Sequence, residues 1–125
     1  MKLDRELVRL ILLEVETRPP TQYNGAPVEI SGYDEDTIGY HLMLLGEAGF
    51  LVVEDVGYLG KELAFEASRL TYSGHEFLDT IRDDEVWRRT KEVAGKAGSV
   101  SLQGLLEIGK AVAKQQIAER FGLVL

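Results

Sequence analysis

Apolar positions recur at helical spacing in four parts of the chain and alternate loosely in one. Over residues 3–17, Leu7, Leu10, Ile11 and Val15 form one stripe, which predicts a helix. Asp4 is placed to cap it, with Leu3 and Val8 as a hydrophobic staple, and Pro19-Pro20 stop it. After the turn pair Asn24-Gly25, residues 28–30 are short and apolar enough for an edge strand. Asp34 then caps a second helix running to Ala48. Ile38, Leu42 and Leu45 point inward on it, with His41 or Met43 on the flanks, and Gly49 supplies a left-handed end. Residues 50–56 are rich in β-branched side chains, and 63–71 return with partial alternation through Leu63, Phe65 and Ala67. Together these two segments predict a hairpin.

Beyond the hairpin, Thr71 or Ser73 opens what reads as one long helix, closed by Gly95 and Gly98. Phe77, Leu78, Ile81 and Trp87 form its buried side, with Val86 and Val93 on a neighbouring stripe. A last helix starts at Ser99 or Ser101 and gathers Leu102, Leu105, Leu106, Val112, Ala113, Ile117 and Phe121 on one face. Gly104 and Gly109 weaken that helix by about 1 kcal/mol each relative to Ala. Close approach of another helix would account for them. Helix, short strand, helix and hairpin in this order is the layout of a winged helix. The expected fold is therefore α+β, a winged helix-turn-helix-like domain over residues 1–98 with an additional C-terminal helix over 99–125.

At 125 residues the chain suffices for one domain with a real core. With no cysteine, disulfides, thiolate metal sites and cysteine nucleophiles are excluded. Neither a signal-peptide pattern nor an apolar run of membrane-spanning length is present, so a cytoplasmic protein with no membrane association is expected. The charge changes the picture more. Its sum is −7, from 14 basic and 21 acidic residues, and between Pro19 and Gly60 there is no Lys or Arg at all. Phosphate backbones are held by Lys and Arg, and the segment that reads DNA in a winged helix lacks both.

Candidate chemistry is sparse. His41 and His75 are the two histidines; the first reads as a core or half-buried residue, the second as a capping or surface residue. Neither has the second ligand at matched spacing that a metal needs, and no phosphate-binding glycine loop occurs. No cofactor, no metal and no catalytic group are expected, and hence no enzyme. Asp79, Asp83, Asp84 and Glu85 beside Arg82, Arg88 and Arg89 read as a salt-bridged helix face. The alternative is that Asp83 or Asp84 anchors a neighbouring backbone or cap. Trp87 reads as core packing before interaction hot spot. Lys61, Arg82, Arg88, Arg89 and Lys91 are the candidate contacts to nucleic acid or to a protein partner.

The block LTYSGHEFLDTIRDDEVW, over 70–87, resembles a family of small bacterial and phage-encoded proteins of unknown function. It is marked by Leu70, Thr71, Gly74, His75, Phe77, Leu78, Asp79, Arg82, Asp83, Asp84 and Trp87. The block GYDEDTIGYHLMLLGEAGFL and the opening MKLDRELVRLILLEVE are also similar. The resemblance covers roughly residues 1–95 and implies a phage or prophage setting. More broadly, the helix, hairpin and Leu-Thr-x-x-Gly-x-x-Phe-Leu order looks like bacterial winged-helix regulators, in which the helix before the wing usually reads DNA.

Two functional expectations follow. One is a non-enzymatic regulator touching DNA through its wing and the basic long helix. The other is a protein-interaction module whose acidic surface meets a basic partner or mimics DNA. The C-terminal helix either folds back to cover the core or pairs with its counterpart in a second chain, the latter a homodimer reading that rests on fold analogy.

Overall fold

The computed structural model describes residues 1–19, 24–57 and 64–122. Among them are five helices and one two-stranded antiparallel sheet, an α+β arrangement. The order is α1 (Arg5–Glu16), α2 (Glu35–Glu47), β1 (Leu51–Asp55), β2 (Phe65–Leu70), α3 (Tyr72–Ile81), α4 (Asp84–Ala97) and α5 (Leu102–Phe121). Contacts divide the chain into two compact units, Met1–His75 and Glu76–Leu125, with the division inside α3.

In the N-terminal unit, α1 starts where Asp4 accepts a hydrogen bond from the Leu7 N–H, and α2 where Asp34 accepts one from the Thr37 N–H. Both caps are as predicted. The buried face of α1 is Leu7, Val8, Ile11, Leu12 and Val15. Leu12 replaces the expected Leu10, which is half-buried. The inward face of α2 carries Ile38, Leu42 and Leu45, and with them a fully buried His41. Gly49, at φ +83°, lets the chain turn back so that Phe50 N–H reaches the Leu45 carbonyl at 2.9 Å and β1 can begin.

The hairpin pairs Leu51 with Leu70 and Val52 with Arg69, but Val53 with Ala67. Ser68 is therefore an extra residue, a β-bulge that shifts the inward parity of β2. Ala67, Ser68 and Leu70 are buried while Arg69 is exposed. The expected alternation through Phe65 and Ala67 holds only up to that bulge; Leu63 lies outside the described residues.

The expected edge strand at 28–30 is absent. A single bridge between Ala26 and Ala67 stands in its place. Pro27 has no N–H to continue a ladder, and the Arg18 guanidinium takes the carbonyls that another strand would use. Arg18 donates to Ala26 O at 3.1 Å, to Pro27 O at 2.8 Å and to Ala67 O. Val28 is nevertheless buried.

The long helix expected after the hairpin is two helices. α3 is capped by Thr71, whose hydroxyl accepts from the Gly74 N–H at 3.0 Å. Gly74 is required there, since a Cβ would stand 2.0 Å from the Phe50 carbonyl oxygen. After Ile81 the helix breaks, and the Asp83 carboxylate accepts from the N–H groups of Glu85 and Val86 to start α4. A carboxylate able to cap competes with helix continuation.

The C-terminal unit is wholly helical in its described part, with α4 packed on α5. Trp87, Val86 and Ala94 of α4 and Leu102, Leu105, Leu106 and Val112 of α5 are buried. Gly109 of α5 lies where a Cβ would be 3.1 Å from Thr80 and 3.2 Å from Ile81, so its absence of a side chain admits the end of α3. Gly104 instead sits against Val100 and the capping Ser101 of its own helix start. The apolar stripe of α5 does not stay buried to its end: Ile117 is 44% and Phe121 70% exposed.

Candidate interaction surfaces

The cations singled out by sequence fall mostly in the C-terminal unit, and there they meet carboxylates. Arg82 bonds Asp79 at 2.9 Å. Arg88 reaches Glu85 at 2.7 Å and Glu92 at 2.9 Å, a ladder on the outer face of α4. The hydrogen bond from Arg88 holds the Glu85 carboxyl below its ordinary range and raises the guanidinium in turn. Arg89 crosses to α5, donating to Gln115 at 3.0 Å and Glu119 at 3.4 Å. The Lys91 ammonium lies 5.5 Å from the centre of the Trp87 ring, a cation–π distance. Lys61 lies outside the described residues. Arg88, Arg89 and Lys91 share α4, while Arg82 precedes its cap.

Asp83 combines several roles. Its backbone hydrogen bond from Val86 and the bond from the Gln116 amide hold its carboxyl below the ordinary range, and Arg120 adds an attraction at 3.7 Å. The alternative reading of this acidic cluster, in which Asp83 anchors a cap, describes this residue. Asp79 and Glu85 follow the salt-bridged reading.

In the N-terminal unit the picture reverses. Asp34, Glu35 and Asp36 are exposed at the start of α2, Glu47 is exposed at its end, and Glu54 and Asp55 are exposed on β1. Carboxylates at a helix start are favourable to its dipole, whereas Glu47 at the opposite end is not. The side of α2 facing the hairpin forms a shallow groove. Met43, Gly46, Val52, Val53 and Phe65 provide an apolar floor, and Glu47 and Asp55 stand on its rim.

His41 is a structural residue. Its Nε2 accepts the Asp4 backbone N–H at 2.8 Å and its Nδ1 donates to Thr37 O at 2.8 Å, so both ring nitrogens are used inside the core. Tyr33 adds a bond to the Asp4 carboxylate and, with burial as the larger cause, its phenol is raised above its ordinary value. Asp4 thus links the starts of α1 and α2.

A second concavity was not foreseen from sequence. Residues near the end of α1 (Val15, Glu16, Arg18, Pro19) meet Ser68, Arg69 and Leu70 of β2 and Tyr72 and His75 of α3 around a volume of about 320 Å³. Burial pushes the Arg18 guanidinium below its ordinary value, opposed by Glu14 and Glu66. These positions are some fifty residues apart in the chain, so no local spacing signals them. Among the described residues, no three His, Asp or Glu side chains gather as a metal's ligands would. No helix there is long and apolar enough to cross a membrane.

Comparison with known proteins accords with the architecture's small size. A relative from Haemophilus influenzae, described as an uncharacterized protein, is 34% identical over 119 residues, covering 94% of this chain and all of the relative. No solved structure matches. Residues 2–101, which take in both the α2–hairpin region and the α3–α4 break, match the family model described as hypothetical protein (DUF2513), and the chain belongs to the DUF2513 family.

Proposed function

We propose that the chain is a non-enzymatic regulatory module of winged-helix type, from a phage or bacterial setting, that binds a basic protein surface through its N-terminal unit. The separation of charge carries this reading. The unit Met1–His75 holds 13 acidic and 6 basic residues, whereas Glu76–Leu125 holds 8 of each. The entire net charge of −7 thus belongs to the first unit. Its exposed carboxylates flank α2, a helix without Lys or Arg, and border an apolar groove. A protein interface wants an apolar centre with a polar rim, and complementary charge speeds encounter. A helix followed directly by a hairpin supports the winged-helix assignment. Occupation of a partner's DNA-binding surface by mimicry is one form this binding takes.

The second reading is duplex DNA bound through the hairpin and the cations of α4. Arg88, Arg89 and Lys91 on one helix favour it; their existing carboxylate and ring partners weigh against it. Titrating the protein with random duplex DNA and with a lysine-rich peptide across a salt series separates the two. Peptide binding that weakens with salt, without DNA binding at low salt, supports the first. DNA binding whose salt slope flattens in the Arg88→Ala/Arg89→Ala variant overturns it.

Self-association belongs to the same proposal. Ile117 and Phe121, four residues apart and exposed on α5, support a homodimer through that helix. Light scattering at micromolar concentration reads it directly, and a mass of one chain removes it.

A further inference from the structure

Among the concave regions of the molecule, the one between the end of α1 and the bulge of β2 gathers groups that nothing so far uses. Two of the six cations of the N-terminal unit, Arg18 and Arg69, line it together. Arg18 is held rigidly by three backbone carbonyls, which fixes its positive charge beside the cavity. Arg69 is exposed, and among the described residues its side chain has only a 3.2 Å bond to the Leu70 carbonyl and no ion pair. That is unexpected in a unit with thirteen carboxylic side chains.

Ser68 supplies an independent observation. It is 5% exposed, lines the cavity, and its hydroxyl makes no hydrogen bond among the described residues. A hydroxyl with no partner on a cavity wall is available to donate to a ligand. Ser68 is also the extra residue of the bulge, and bulges re-aim side chains beside binding sites. Tyr72, 86% exposed, and His75 stand on the α3 side, and Val15, Pro19 and Leu70 make apolar walls. Glu16 is the one carboxylate on the wall, and it already has a contact of its own.

We propose that this cavity binds a small oxyanion carried on a flat or apolar body, a phosphate monoester or a carboxylate, with Arg69 and Arg18 supplying the charge and Ser68 a hydroxyl donor. The guanidinium fork suits both anions. A cavity of about 320 Å³ accommodates a body larger than the anion alone. Tyr72 is placed to cover such a body with its ring.

Phenyl phosphate, benzoate, inorganic phosphate and phenol serve as probes, titrated into the full chain with amide NMR as readout. Phenyl phosphate or benzoate should saturate near about 1 mM, a modest affinity for ligands of that size. Their shifts should centre on Ser68, Arg69, Tyr72 and His75. The tighter of the two names the anion, phosphate or carboxylate, and phenol should not bind. Arg69→Gln, at an exposed position, should weaken binding at least about ten-fold, and Ser68→Ala by roughly two- to ten-fold. Binding of phenol as tight as that of the anions overturns the proposal. So does failure of both aromatic anions to saturate by about 20 mM, or a loss under five-fold in Arg69→Gln.

Discussion

Each unit is held together internally by a different kind of polar contact. In the N-terminal unit, polar side chains are spent on the backbone: His41 on Asp4 N–H and Thr37 O, Arg18 on three carbonyls, Thr71 on the Gly74 N–H. Asp36, Glu47, Glu54 and Asp55 are exposed. In the C-terminal unit, charges are spent largely on one another, through Arg82–Asp79, Arg88–Glu85, Arg88–Glu92 and Lys110–Glu76. Surface pairs of this kind add little stability each, but they do cancel the field. The lesson is that a unit can be charge-rich and neutral in sum, while its neighbour in the chain carries the whole net charge of −7.

That contrast breaks first at Gly74. Replacing it with Ala sets a Cβ against the Phe50 carbonyl oxygen of the N-terminal unit. The cost should reach about 3 kcal/mol or more, read as a lower urea midpoint by far-UV circular dichroism. Next comes His41→Ala, which leaves the Asp4 N–H without its partner and opens a void in the core. Its expected loss is about 2–4 kcal/mol. Trp87, the single tryptophan, sits in the other unit. Its fluorescence, compared with dichroism, shows how far the loss stays within the mutated unit.

The C-terminal unit should respond in the opposite sense at Gly95. No atom lies within 4 Å of the position a Cβ would take there, in the body of α4. Gly95→Ala should therefore raise stability by about 0.5–1 kcal/mol, visible in Trp87 fluorescence during urea unfolding.

The smallest effect is the acid response of the two exposed caps. Asp34 and Asp83 both titrate below the ordinary carboxylate value, the first through bonds from Thr37 and the second through bonds led by that from Val86. Proton uptake is thus easier in the unfolded chain. The stability these caps contribute is complete above the unfolded value near about 4 and fades as pH falls through the lower folded values. Asp34→Asn and Asp83→Asn should each flatten the slope of the urea midpoint against pH below about 4, and an unchanged slope would count against the cap geometry.

What could be read along the chain was local chemistry. Asp4 and Asp34 were legible as caps, and Thr71 and Ser101 as one of two candidates each, because a cap is defined within three residues. The break at Asp83 was not, since Arg-Asp-Asp-Glu fits a helix surface as well as a helix start. Only the two N–H groups that Asp83 accepts decide between them. The bulge at Ser68 was hidden because a six-residue strand is too short to display a change of parity. The edge strand expected at 28–30 failed for a non-local reason, with Arg18 arriving from another element to take the carbonyls. As for candidate contacts, Arg88, Arg89 and Lys91 do share a helix, but sequence could not show how their partners occupy them. The cavity around Ser68 and Arg69 draws on three elements and had no signature in any one of them.

The bond between the Asp4 backbone N–H and His41 Nε2 spans 37 residues of chain. It also bears on the order of events in folding. Until α2 docks, one N–H at the very start of α1 lacks its native acceptor, so α1 cannot complete its end on its own. The earlier of the two helices must wait for the later, and closing that long loop carries an entropic cost met only when their shared core forms. The Asp4 amide should consequently exchange its hydrogen with solvent far more slowly than a helix terminus ordinarily does, at the pace of the unit's opening rather than of local fraying.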